Sequence, residues 1–229
     1  MANLIERVAR FNGLSSAEVE SLAARAPKTY KRYQIPKKKG GRRYILHPSV
    51  ETKMLQYSLM QWLESVAPVH RSALGFVKGL SSPLRRNAEL HAQQDFFIKV
   101  DFANFFPSIR PSDLLAALDG HVDLSVAEGD FISQALFVDF NGKLGLPVGA
   151  PSSPMVSNIV MYALDAELAG LSLRRDFVYS RYADDLVFST RNKGDSKAML
   201  AEVKRVISLR TWPKLKLNGT KTRFMSRNS

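Results

Sequence analysis

A chain of 229 residues is long enough to bury a core unaided, and the absence of cysteine excludes disulfide staples and thiolate metal sites. Thirty-three Lys and Arg against 21 Asp and Glu leave a net charge of +12, which favours polyanionic partners, nucleic acid above all. No run approaches the roughly 20 apolar residues of a membrane span, and Met1–Arg7 lacks a signal-peptide pattern; the expectation is a cytoplasmic protein with no membrane partner.

Two short helices open the chain. Ser15 and Glu18 form a capping box, and Val19, Leu22, Ala23 and Ala26 make an apolar stripe that Pro27 ends. Residues 28–48 read as a strand, a basic turn at Gly40-Gly41 and a second strand, Arg43-Tyr44-Ile45-Leu46. A helical face from Met54 to Val66 follows, stopped before Pro68. Asp95 to Val100 predicts a buried strand running into Asp101. Helices are predicted over 112–119, ended by Gly120, and over 126–137, where Ser125 and Glu128 repeat the capping box. Gly145 to Pro151 is a loop, and Val156, Ile159, Val160, Ala163, Leu164 and Leu168 mark one amphipathic helix. Phe177–Tyr182 and Leu186–Ser189 form a hairpin around a polar turn. A last helix is expected over 197–209, then a strand at 215–217. The order is mixed α+β, with acidic residues at strand ends and turns.

Those acidic residues carry the chemistry. Asp184 and Asp185 stand at the hairpin tip, where adjacent carboxylates are costly unless a cation neutralises them. Asp101, brought beside them by its strand, completes an oxygen-only set suited to Mg²⁺. Two ions about 4 Å apart could then clamp both oxygens of an in-line phosphoryl displacement. Taken alone, Tyr182-Ala183-Asp184-Asp185 reads as a solvated turn. Its neighbours change that reading.

The ordered motifs resemble bacterial reverse transcriptases of the retron type. Lys99-Val100-Asp101-Phe102-Ala103-Asn104-Phe105-Phe106 is similar to the family's first palm motif. Gly145-Leu146-Pro147-Val148-Gly149-Ala150-Pro151 with Ser157-Asn158 resembles the second, Tyr182 to Asp185 the third, and Leu217 to Thr222 the segment after it. Ile35 to Lys38 with Gly41 to Pro48 resembles the fingers hairpin. Asn87-Ala88-Glu89-Leu90-His91 matches the retron signature Asn-Ala-x-x-His; on its own, Asn87 would read as a helix cap and His91 as a surface histidine.

The resemblance implies a right-hand polymerase: an antiparallel palm sheet with packed helices, plus fingers. It assigns residues 1–27 to a helical segment, 28–94 to fingers and 95–229 to the palm, with fingers helices at about 111–140. The chain stops at Ser229 without the family's Val-Thr-Gly element, so this sequence is expected to hold no complete thumb: either it is a fragment, or something else supplies the thumb. By the same resemblance, Asp101, Asp184 and Asp185 hold two Mg²⁺ ions. Lys37, Lys38 and Arg43 meet the triphosphate, with the choice between the lysines open. Phe106 gates the sugar, Phe102, Val148 and Gly149 border the nucleotide, and Lys221 approaches the pyrophosphate as a cation or a proton donor. Val148 departs from the glutamine of several relatives. The implied partners are deoxynucleotides, a structured non-coding RNA that serves as template and primer, its complementary DNA, and an effector protein in anti-phage defence. The competing readings are a non-catalytic RNA–DNA nucleoprotein restraining a toxic effector, and a group II intron or abortive-infection enzyme. A diguanylate cyclase is set aside, because its Gly-Gly-Asp/Glu-Glu-Phe turn is missing.

Overall fold

A computed structural model describes residues 3–36 and 40–227; Lys37 and Lys38 lie outside them. In chain order the elements begin with α1 (Leu4–Asn12), α2 (Ser16–Arg25), β1 (Tyr30–Pro36), β2 (Arg42–Pro48), α3 (Val50–Val66) and α4 (Pro83–His91). The middle holds β3 (Phe96–Ala103), α5 (Phe105–Ser108), α6 (Pro111–Leu118), α7 (Val126–Leu136), β4 (Val138–Asp139), β5 (Leu144–Gly145) and α8 (Ser153–Val160). Then come α9 (Tyr162–Arg174), β6 (Val178–Tyr182), β7 (Asp185–Thr190), α10 (Ser196–Leu209), β8 (Lys216–Leu217) and β9 (Arg223–Ser226). Among these residues no single helix is long and apolar enough to cross a membrane.

The chain divides into two compact units, one of residues 1–67 and 106–156, the other of 68–105 and 157–229.

In the first unit, α1, α2, α3 and α7 bury Leu4, Val8, Val19, Ala23, Leu55, Leu59 and Ile132. Both expected capping boxes form, and Glu128 also accepts a bond from the Leu4 amide at 2.7 Å, fastening α1 to the start of α7. β1 and β2 pair antiparallel from Tyr30↔Pro48 to Pro36↔Arg42.

The second unit is built on a five-stranded antiparallel sheet ordered β6-β7-β3-β8, with β9 also paired to β3. Central β3 is apolar at alternate positions, so Ile98, Val100 and Phe102 enter the core and Lys99 and Asp101 take the opposite face. Three expectations change here. The single helix over 156–168 is two, α8 and α9, broken at Met161. Beyond the expected short strand after α10, an unforeseen β9 flanks β3. Asp101 lies inside its strand rather than at its end.

Candidate active site

Strand alternation puts Lys99 and Asp101 of β3 on the same sheet face as Asp185 and Val187 of β7. Asp101 stands directly opposite Asp185 in the register, and the Phe102 amide donates to the Asp184 carbonyl at 3.2 Å. The three expected carboxylates therefore meet at one end of the sheet. Like charges directly opposite on paired strands repel. Two lysines answer them: Lys221 Nζ donates to both Asp101 oxygens at 2.9 and 2.8 Å, and Lys99 Nζ lies 2.9 Å from Asp185 Oδ2. Lys221 is a residue the motif named for the pyrophosphate, and here it pairs with Asp101; Lys99 is a partner that sequence reasoning missed.

Burial is the largest influence on Asp184 and raises its pKa, and the charges of Asp101 and Asp185 push in the same direction. The bond to Asp101 holds the Lys221 ammonium above its ordinary pKa. Among the described residues, no group of three or more His, Cys, Asp or Glu side chains is arranged to hold a metal ion, and Asp101 and Asp185 each pair with a lysine. The donor chemistry still fits a hard divalent cation. The set is oxygen-only, and Asp184 remains short of positive charge even with Lys221 nearby.

Behind the carboxylates lies a network that the motifs did not announce. Arg181, fully buried on the opposite sheet face, pairs with fully buried Asp165 of α9 at 2.7 Å. Its other branch, Nη1, donates to Asn158 Oδ1 at 3.0 Å and to the Ala183 carbonyl at 3.1 Å. Tyr179 donates to Asp165 at 2.7 Å, and Asn158 Nδ2 donates to the Gly75 carbonyl at 2.9 Å. A Cβ on Gly75 would meet the Ala183 nitrogen at 2.9 Å, so the chain passes tight against the turn there. The available signal was a charged residue within a largely apolar run, Asp165 beside Glu167 in its helix and Arg181 in its strand.

The Asn-Ala-x-x-His segment forms the C-terminal part of α4, with Asn87 inside the helix rather than capping it. His91 is buried, not at the surface: Nδ1 lies 2.6 Å from Ser189 Oγ and Nε2 lies 2.8 Å from Ser180 Oγ. Ser180 in turn donates to Asn87 Oδ1 at 2.7 Å. With that hydroxyl proton spent on Asn87, Nε2 must donate to Ser180 and Nδ1 accept from Ser189. Burial lowers the His91 pKa to about 4, so the ring is neutral. Ala88 is exposed. Phe102 is buried and stacks on Phe105, with ring centroids 5.6 Å apart. Its ring is part of the core.

The remaining candidates belong to the first unit. Arg43 is exposed on β2 opposite Ile35. Val148 accepts from the Leu46 amide at 2.8 Å, which seats the Gly/Pro loop along β2. Gly149, at φ 119°, is needed there, since a Cβ would fall 2.7 Å from Ile45 Cγ2. Phe106 is half-buried in α5, its carbonyl accepting from the Ile109 amide.

The family described as reverse transcriptase (RNA-dependent DNA polymerase) matches residues 35–229. The retron Ec73 reverse transcriptase of Escherichia coli is 36% identical over 211 residues, covering 88% of this chain and 66% of the relative. The retron Ec83 enzyme of the same organism is 37% identical, covering 75% and 56%. The retron Mx162 enzyme of Myxococcus xanthus is 38% identical, covering 70% and 35%. The chain thus spans at most about two thirds of the length of these relatives. Among solved structures, apo telomerase from Candida tropicalis, truncated from its C-terminal domain, superposes with a TM-score of 0.51 at 15% identity, covering 94% of this chain and 56% of that one. Candida albicans telomerase, solved with a fragment of telomeric RNA, gives 0.52 at 14% identity, covering 86% and 43%. These two likenesses concern the fold.

Proposed function

Because the chain belongs to the reverse transcriptase family, we propose that it is an RNA-directed DNA polymerase of the retron type whose chemistry rests on Asp101, Asp184 and Asp185. The observation that carries this reading is the register that sets Asp101 directly opposite Asp185, beside Asp184. These carboxylates would hold two Mg²⁺ ions, which when bound lower the pKa of a primer hydroxyl and neutralise the triphosphate. Lys221 offers a charge or a proton to the leaving pyrophosphate, and Lys99 steadies Asp185. Arg43, with Lys37 and Lys38, meets the triphosphate. Phe106 excludes a ribose 2′-hydroxyl, while Val148 and Gly149 border the nucleotide. The template is a structured non-coding RNA copied into a branched RNA–DNA, in a cytoplasmic anti-phage system that includes an effector protein. Sequencing the nucleic acid that copurifies with the chain would identify template, primer and product together.

The deciding experiment is primer extension on an RNA template by the double variant Asp184→Asn/Asp185→Asn. Ligation needs the carboxylate charges, whereas the basic surface binds RNA. Synthesis should vanish while RNA affinity stays near wild type. Activity persisting in Mg²⁺ would remove the catalytic assignment and leave a nucleoprotein.

A further inference from the structure

A buried ion pair is a poor device for stability alone, because the cost of desolvating both charges commonly offsets their attraction. Arg181 and Asp165 form such a pair with no exposed side-chain surface. A well-packed apolar pair would hold β6 against α9 as well. What an apolar pair lacks is a third arm. Arg181 Nε and Nη2 are taken up by Asp165, while Nη1 reaches Asn158 and the carbonyl of Ala183.

Ala183 is the residue before Asp184, and it sits in the left-handed region at φ 55°, which a side-chain-bearing residue rarely adopts. The Arg181 bond fixes its carbonyl. Gly75 lies so close that a Cβ would collide with the Ala183 amide nitrogen. Asn158 ties the two together, accepting from Arg181 and donating to the Gly75 carbonyl. Segment 72–75 is itself pinned to Arg181, whose amide donates to Ser72 and whose carbonyl accepts from Leu74, at 2.7 and 2.8 Å. The Ala183 carbonyl, in the peptide that leads into Asp184, is held by the guanidinium, and the Ala183 amide, in the peptide before it, is packed against a segment tied to that same guanidinium through Asn158.

We propose that Arg181 is a positioning residue for the metal-binding turn: its planar fork, charged against Asp165, fixes the Ala183 carbonyl and thereby the direction in which Asp184 presents its carboxylate. The proposal rests on the reading of Asp101, Asp184 and Asp185 as metal ligands. Lysine cannot replace this function, since one ammonium cannot span Asp165, Asn158 and Ala183 together.

The test uses the full chain in two altered forms. Arg181→Lys keeps a cation beside Asp165 but removes the fork. Arg181→Met/Asp165→Leu/Tyr179→Phe replaces the charged network by apolar groups of similar volume. Folding is read by near-UV circular dichroism and Tm, and metal binding by electron paramagnetic resonance titration with Mn²⁺, which needs no turnover. Both forms should fold, bind Mn²⁺ roughly tenfold or more weakly, as groups that orient metal ligands typically dictate, and need correspondingly more Mg²⁺ for primer extension. A folded form with wild-type Mn²⁺ affinity overturns the proposal. Loss of the native fold in both forms overturns it too, by making the network a folding element only. Asp184→Asn, titrated alongside, separates the two levels. If it also keeps wild-type Mn²⁺ binding, the reading of the carboxylates fails; if it alone loses binding, only the role of Arg181 fails.

Discussion

The surroundings of Asp184 disfavour its charged form. Burial comes first and the neighbouring carboxylates second, and both raise its pKa. A carboxylate with a raised folded pKa binds its proton more tightly in the native than in the unfolded chain. Its penalty is therefore absent below the unfolded pKa and grows as pH rises through the folded value. At neutral pH without divalent metal, Asp184→Asn should melt a few degrees above wild type, and the gap should close on acidification. Mg²⁺ should raise the wild-type Tm more than that of the variant. Melting curves in EDTA with and without added Mg²⁺ check this, and a lower Tm for the metal-free variant contradicts it. Phe106 poses a question of shape rather than charge. Phe106→Ala should raise the ratio of ribonucleotide to deoxynucleotide kcat/KM by roughly tenfold or more, and an unchanged ratio would return the ring to a packing role.

α4 gives an element-scale counterpart. Its only buried residue is His91, gripped between serines of β6 and β7, so the helix is fastened to the sheet by a polar clasp more than by an apolar stripe. A histidine with a depressed folded pKa contributes stability that is complete above its unfolded value near 6.5 and is lost as pH falls towards about 4. Wild type should lose about 3 kcal/mol more than His91→Leu between those limits. Urea unfolding of both proteins across that range reads the difference directly, and parallel pH profiles would remove the clasp's role. The clasp also shows what the sequence could tell. β3 and the β6–β7 hairpin were legible because apolar alternation and β-branched runs mark buried strands. The carboxylates stood out because each ends or interrupts such a run, but their proposed role was legible only through the ordered motifs around them. α4 was not foreseen, since Pro83 to Leu90 offers almost no buried face. The break at Met161 was hidden because an apolar stripe records burial and not the continuity of backbone hydrogen bonds. β9 is mostly exposed and owes its strand form to pairing with β3. Arg181 and Asp165 are intelligible only as a pair, and no local pattern links positions on different elements.

At the scale of the whole molecule, the two units are each assembled from two separated stretches, so neither can be excised as one continuous segment. The central strand β3 belongs to the earlier stretch of its unit, while β6, β7, β8 and β9 all come from the later one. During synthesis, then, Phe96-Phe97-Ile98-Lys99-Val100 leaves the ribosome well before any strand that will flank it. At roughly 5–20 residues per second the wait is on the order of ten seconds, with both hydrogen-bonding edges of an apolar strand unpaired. The nascent chain therefore passes through a sticky interval imposed by its connectivity. Slower translation would lengthen that interval, and a chaperone that binds extended apolar segments would shelter the chain until the hairpin carrying Asp184 and Asp185 arrives.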